Sequence, residues 1–142
     1  MLKDEEAKAM SLEWNFQRTL AKVNYRIHTD AIKEHLIPIQ LTNAQTGKVY
    51  ASEADLLNMA LFGMTAAQWR QANPDQKGNI RDVATLEQLV VLSNLESINS
   101  VLIHQGISGC ERLIQLNSIA INQMQSLVNI FETKNLNSVS SI

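Results

Sequence analysis

The chain has 142 residues, 45% of them hydrophobic and 5% aromatic, and its 12 basic and 14 acidic residues give a formal net charge of −2 at pH 7. This length suits one domain with a core of its own and leaves no room for a second domain of ordinary size. The near balance of charge excludes a general attraction to nucleic acid or to an anionic membrane, so any such binding must be local.

The first predicted element is a helix of about seven turns over residues 3–27, a segment with no glycine or proline. The apolar residues that recur in it at helical spacing are Leu12, Phe16, Leu20, Val23 and Ile27. Its charged start has no capping residue, so we expect the helix to continue upstream in a longer protein. A short helix over residues 31–36 should follow, with Thr29 and Asp30 as its cap and Pro38 as its stop.

Three motifs predict helix starts in the middle of the chain. Ser52, Thr65 and Thr85 each place a hydroxyl ahead of free backbone N–H groups, with an acid or an amide three residues later. This pattern is the capping-box signature of a helix N-terminus. A helix is therefore predicted to begin directly after each of these three residues.

The segments between these helices are predicted from glycine and polar residues. Gly63 and Gly106 stand where two helices should end, because a left-handed closing residue costs glycine no Cβ clash. Residues 39–51, which include Gly47, are predicted to form a connector in which a short extended segment would fit. Residues 75–84 are predicted to form a polar loop.

The last two helices should form an antiparallel hairpin that turns at residues 106–109. Both carry broad apolar faces, and little apolar content follows residue 132. The sequence thus predicts an all-α, single-domain helical bundle with a long N-terminal helix and a C-terminal antiparallel helical hairpin. The helical domain should cover residues 1–132, and residues 133–142 should form a disordered tail.

No residue pattern in the chain predicts catalysis, a metal or a cofactor. His28 and His35 are seven residues apart, whereas zinc hydrolases need two histidines four apart on one helical face. Solvent-facing or helix-end positions are expected for both, and His104 should sit against the free carbonyls at the end of its helix. Cys110 lies on an apolar stripe and is expected to be a small buried hydrophobe. We therefore predict a protein that is not an enzyme.

The cellular compartment is predicted from cysteine usage and from the chain start. Cys110 is the only cysteine, which excludes an internal disulfide and suits the reducing interior of a cell. The first residues lack the order of a secretory signal, and no apolar run approaches the roughly 18 residues that span a bilayer. We expect a soluble cytoplasmic protein that does not bind membranes.

Two polar groupings are candidate binding sites. Arg18, Lys22 and Arg26 step by four residues along the first helix, and Lys33 should lie near them. This row is either a solvated face with internal ion pairs or a patch for nucleic acid or an acidic protein partner.

The second grouping is a loop cluster of Arg70, Asn79 and Arg81. Asp82 lies just ahead of the Thr85 cap and would tie this loop to one of the two arginines. The cluster either orders the loop or forms a site for a small ligand or a partner.

Long motifs in the chain resemble the region that follows the DNA-binding module in KilA-N domain proteins of bacteria and their phages. They include the string NYRIHTDAIKEHLIP at residues 24–38 and EQLVVLSNLE at residues 87–96. The other matching segments are residues 11–15, 18–20, 50–58, 60–66, 69–70, 73–74, 78–82 and 111–113. The resemblance covers about residues 3 to 130.

The resemblance implies the C-terminal accessory region of a phage-type regulator or antirepressor. In the similar proteins the KilA-N module lies upstream and binds DNA, and none of its contacts can be assigned to residues of this sequence. We therefore expect a non-enzymatic oligomerisation or protein-interaction module, in the form of a homodimer or a binder of a repressor or defence component. The alternatives are nucleic-acid binding through the basic row and small-ligand sensing at the loop cluster.

Overall fold

The computed structural model describes the backbone of residues 2–37 and 42–140 and the side chains of residues 7–8, 11–12, 15–37 and 42–128. In these ranges the fold is all α-helical. The helices are α1 (Leu2–His35), α2 (Asn43–Phe62), α3 (Ala66–Ala72), α4 (Leu86–His104) and α5 (Gly109–Ser140). Helix α1 packs mainly on α4, and α5 packs on both α2 and α4. The predicted bundle with a long first helix and a final hairpin is confirmed.

Two of the three predicted capping boxes are present. The hydroxyls of Thr65 and Thr85 accept from the backbone N–H groups of Gln68 and Gln88, each at 3.2 Å. In return, the side-chain oxygens of the two glutamines accept from the threonine N–H groups, each at 2.9 Å. Each box satisfies two backbone groups that the helix itself leaves free.

The predicted helix start at Ser52 is wrong, because α2 begins ten residues earlier. Its cap is Thr42, which forms the same reciprocal pair of hydrogen bonds with Gln45, at 3.2 and 3.0 Å. Helix α2 therefore includes residues 43–51 of the predicted connector, and Ser52 is an exposed residue inside it. Residues 39–41 of the predicted connector lie outside the described residues. The early turns are held by Val49 and Tyr50, which pack against the buried ends of α1 and α4.

The predicted break after Ile27 is also absent, since α1 is one helix from Leu2 to His35. The Thr29 hydroxyl donates to the carbonyl of Arg26 at 3.1 Å, and Asp30 accepts from the Arg26 guanidinium at 3.1 Å. Both residues satisfy their side chains within the helix and cap nothing. The predicted stop, Pro38, lies outside the described residues.

Gly63 and Gly106 close helices as predicted. Both have left-handed backbones, with φ of 74° and 73°. After Gly106 the N–H of Ile107 donates to the carbonyl of Leu102 at 3.1 Å, which is the closing bond of a Schellman turn. This turn reverses the chain between α4 and α5.

The apolar core lies between α2, α4 and α5. Its buried members are Leu57, Ala60, Val91, Leu92, Leu95, Leu102, Leu116 and Ala120. A second, smaller cluster of Ala31, Ile32 and Ile103 joins α1 to α4. The expectation that Cys110 is buried is wrong, since its thiol is exposed in the first turn of α5.

Helix α5 continues to Ser140, beyond the predicted domain end at residue 132. The backbone of residues 133–140 is thus helical where a disordered tail was expected. Side chains from residue 129 onward lie outside the described residues, so the division at residue 132 stays a prediction.

Alanine substitution at two glycines tests the helix boundaries of α2. Gly47→Ala should raise the free energy of unfolding by about 0.5–1 kcal/mol, because Gly47 is inside the helix and a Cβ there meets open space. Gly63→Ala should lower it by roughly 1–2 kcal/mol, because its left-handed backbone disfavours a Cβ. Urea denaturation measures both. A loss of stability in Gly47→Ala would contradict the early start of α2.

Candidate functional site

Exposed apolar side chains form a stripe on α1. The α1 stripe consists of Leu12, Phe16, Leu20, Val23 and Ile27, whose exposed fractions lie between 42% and 70%. At 3.6 residues per turn they occupy a sector of about 80° over a length of about 22 Å. All the described side chains from residue 7 to residue 23 are exposed. This part of α1 therefore lies outside the apolar core, although its apolar spacing is that of a buried face.

The apolar surface continues from the α1 stripe onto α4. Leu20 and Ala21 line an open groove of about 300 Å³ together with Leu86 and Leu89. Both of the α4 leucines are exposed. In the same groove the Asn24 side-chain amide donates to the carbonyl and the hydroxyl of Ser93, at 3.0 and 2.9 Å, and so fixes α1 beside α4.

Three of the four residues of the predicted basic row share a surface. Lys22, Arg26 and Lys33 line an open groove of about 700 Å³, whereas Arg18 lines the groove beside α4. All four side chains are exposed. Arg26 pairs with Asp30 at 3.1 Å on the surface, an interaction worth between zero and about 1 kcal/mol.

The predicted loop cluster is engaged within the loop. The Asn79 N–H donates to the Asp82 carboxylate at 2.8 Å, and the Asn79 side-chain oxygen accepts from the Arg81 N–H at 2.9 Å. The Arg81 guanidinium lies 3.8 Å from the buried carboxylate of Glu96. Arg70 is exposed on α3, and no described hydrogen bond or ion pair links it to the other two. These contacts are those of loop ordering, and the ligand site stays a prediction.

A buried polar network at the centre of the bundle was missed by sequence reasoning. Arg112 on α5 donates to both carboxylate oxygens of Glu53 on α2, each at 2.7 Å. The Asn99 oxygen on α4 accepts from the same guanidinium at 3.0 Å. The Asn99 amide donates to Glu53 at 3.3 Å and to Nε2 of His28 on α1 at 2.8 Å. This central polar network therefore joins four helices.

The expectation that His28 is solvent-facing or at a helix end is wrong, because it lies inside α1 as a buried member of this network. Arg112 can only donate, so the Asn99 oxygen must face it and the Asn99 amide must face His28. Nε2 of His28 therefore accepts and its proton is on Nδ1. Burial lowers the pKa of His28 to about 4, although the neighbouring Glu53 carboxylate raises it. The histidine is neutral at pH 7.

Glu96 is a second buried titratable group. Burial raises its pKa to about 7, against the opposing effect of the Arg81 guanidinium. The desolvation of the carboxylate thus outweighs its partly exposed countercharge. Glu96 and the central polar network are buried, and their contacts hold the helices and the loop in place.

The described part of the chain contains no helix that is both long and apolar enough to span a bilayer. Comparisons with protein-family models, with curated proteins and with solved structures give no match. The function of the chain must therefore be inferred from the surface of α1, from the contacts that hold α1 on α4, and from the motifs of the sequence.

Loss of one member of the buried ion pair should destabilise the bundle strongly. Arg112→Leu leaves the Glu53 carboxylate buried without a countercharge, and we expect a loss of about 3–5 kcal/mol in the free energy of unfolding. The double variant Glu53→Leu with Arg112→Leu should lose clearly less than the sum of the two single variants. Urea denaturation of the four proteins gives this coupling.

Arg26→Leu is the matched control for this cycle, because it breaks the exposed pair with Asp30. It should cost less than about 1 kcal/mol. If the double variant at Glu53 and Arg112 lost as much free energy of unfolding as the two single variants together, the central role of their pair would be contradicted.

The two shifted pKa values oppose one another in the pH dependence of stability. Between pH 4.5 and 7 folded Glu96 holds a proton that the unfolded chain lacks. The protonated side chain therefore contributes to the free energy of unfolding at low pH, and this contribution is lost as pH rises through 7. Glu96→Gln should therefore gain up to about 3 kcal/mol relative to wild type between pH 4.5 and pH 8.

The same variant should reveal the effect of His28. Neutral His28 contributes to the free energy of unfolding above pH 6.5. This contribution is lost as pH falls towards 4, because the histidine of the unfolded chain takes up a proton at a higher pH than that of the folded chain. Stability of Glu96→Gln should fall more steeply on acidification than that of wild type. Urea denaturation at several pH values measures both curves, and parallel curves would contradict the raised pKa of Glu96.

Proposed function

We propose that this chain is a non-enzymatic interaction domain that forms a homodimer through the α1 stripe. The observation that carries the proposal is the set of exposed apolar side chains on one side of α1. Soluble monomers rarely expose contiguous apolar patches of this kind, and where such patches occur they mark interaction surfaces. The groove that continues from Leu20 to Leu86 and Leu89 extends this surface.

The free energy available from apolar burial favours a second copy of the chain as the partner. Full burial of a large apolar side chain contributes about 1.5–3 kcal/mol, so a half-exposed one contributes roughly 1 kcal/mol. One stripe on a polar surface would supply roughly 5 kcal/mol, near the lower limit of the 4–15 kcal/mol that association costs. Two stripes that face each other across a two-fold axis bury twice as many side chains, and the symmetry makes the surface self-complementary.

The resemblance to KilA-N proteins supports a more specific role. In those proteins the DNA-binding module lies upstream, so α1 would connect such a module to this domain. A dimer would then hold two modules at a fixed spacing, as two-fold DNA sites require. We propose a phage-type regulator or antirepressor of the cytoplasm, in which this region sets the arrangement of its DNA-binding partner domain. Binding to a repressor or a defence component is the rival role for the same surface.

Direct nucleic-acid binding is the second candidate function. The groove with Lys22, Arg26 and Lys33 also contains Tyr25 and Tyr50, and aromatic rings beside basic groups suit stacked bases. Three cations are a small footprint, since each neutralised phosphate adds to affinity. The pairing of Arg26 with a carboxylate reduces the charge of this groove further. The apolar stripe therefore favours protein interaction.

Light scattering during size-exclusion chromatography tests the proposed dimer. Wild type should elute at about twice 15.9 kDa, at low and at high salt, because apolar contacts are not screened by ions. Phe16→Glu should be a monomer, because it places a charge in the middle of the stripe. Asn15→Glu is the matched control. It adds the same charge to an exposed residue about 100° from Phe16 around the axis of α1, and it should remain a dimer.

Three outcomes would contradict this proposal. A wild-type monomer at the highest soluble concentration would exclude self-association as the role of the stripe. A dimer that persists in Phe16→Glu would place the interface elsewhere on the molecule. A dimer that dissociates in high salt would favour charged contacts over the apolar stripe.

A further inference from the structure

Two histidines distant in sequence meet where α1 and α4 end. His35 is in the last turn of α1 and His104 in the last turn of α4. Their rings meet edge to face with centroids 4.2 Å apart. The Glu34 carboxylate lies 3.9 Å from Nε2 of His35, and one donor atom from each of the three residues lies within 4.8 Å of the others. All three side chains are exposed.

The position of the two helix ends is set by packing beneath them. Ile103, next to His104, is buried against Ala31 and Ile32 of α1. This contact holds the last turns of α1 and α4 together while leaving the histidine rings free at the surface. Helix packing therefore brings the two histidines together.

We propose that Glu34, His35 and His104 form a binding site for a divalent transition-metal ion of the zinc class. Imidazole nitrogen and carboxylate oxygen are preferred zinc ligands, and three protein ligands leave a fourth position for water. Zn–N bonds of 2.0–2.1 Å place neighbouring donors about 3.4 Å apart in a tetrahedron, so the donors must close by at most roughly 1.4 Å. Exposed side chains can close this distance by rotation about their χ angles.

The electrostatics at this position favour a cation. The aligned peptide dipoles give a helix C-terminus partial negative charge, and here two such ends converge. Glu34 adds a formal negative charge to the two neutral ligands. A bound ion would join the end of α1 to the end of α4, and this role is independent of the α1 stripe and of any dimer.

Calorimetric titration of the untagged, chelator-treated protein with zinc chloride tests the site. Wild type should bind one zinc ion per chain. His35→Ala, His104→Ala and Glu34→Gln should each bind at least about tenfold more weakly, a change of about 1.4 kcal/mol per tenfold. Because all three residues are exposed, circular dichroism should show unchanged folding in the variants.

Two control variants separate this site from other ligands. Cys110→Ser removes the one exposed thiol, and Gln105→Ala changes the exposed neighbour of His104; both should bind zinc as wild type does. Cobalt(II) should give the visible absorption of tetrahedral coordination in wild type, and this absorption should be lost in His104→Ala.

The proposal fails if wild type shows no saturable zinc binding, or if any one of the three ligand variants binds as tightly as wild type. Loss of binding in Cys110→Ser would place the metal at the thiol. A stoichiometry of one ion per two chains would also overturn the single-chain site, since a bridging ion would take its ligands from both copies.

Discussion

The buried ion pair between Glu53 and Arg112 is the interaction on which the arrangement of the helices depends. Such a pair adds little net stability compared with apolar residues, because both charges lose their water. Once buried, however, each of its donors and acceptors must be satisfied, and a wrong register of any helix would leave one without a partner. Asn99 accepts from Arg112 and donates to Glu53 and to His28, while Nε of Arg112 donates to the Ile107 carbonyl. The pair thus fixes how α1, α2, α4 and α5 meet.

Helix α1 is unusual because the apolar residues that recur from Leu12 to Ile27 are exposed, whereas the polar Asn24 and His28 face the bundle. It is held to α4 by hydrogen bonds of Asn24 and His28 and by a small apolar cluster near its C-terminal end. The side chains of the α1 stripe stay 42–70% exposed beside that attachment. A helix with this distribution leaves apolar area uncovered within its own domain, and the proposed dimer would cover it. The same attachment brings His35 beside His104.

Much of the candidate surface was visible in the sequence, but its orientation was not. The period of Leu12, Phe16 and Leu20 correctly identified one apolar side of a long helix. Periodicity alone does not say which neighbour covers that side. Similarly, Lys22 and Arg26 were expected on one face and do share a groove. The sequence predicts a solvent-facing or helix-end position for His28 and misses its burial, because its buried partner, Asn99, is 71 residues further along the chain.

The sequence by itself determined the features that depend on contacts between residues close together in the chain. The capping boxes of Thr65 and Thr85 and the left-handed turn at Gly63 each close within one helical turn, so local residue types suffice to specify them. The capping box of Thr42 and Gln45 is equally local, but only the tertiary structure decided that α2 begins there and not after Ser52, and that Glu53 is buried. Those outcomes depend on whether distant helices supply apolar contacts and countercharges. The free energy that decides them comes from packing between helices and not from local propensity.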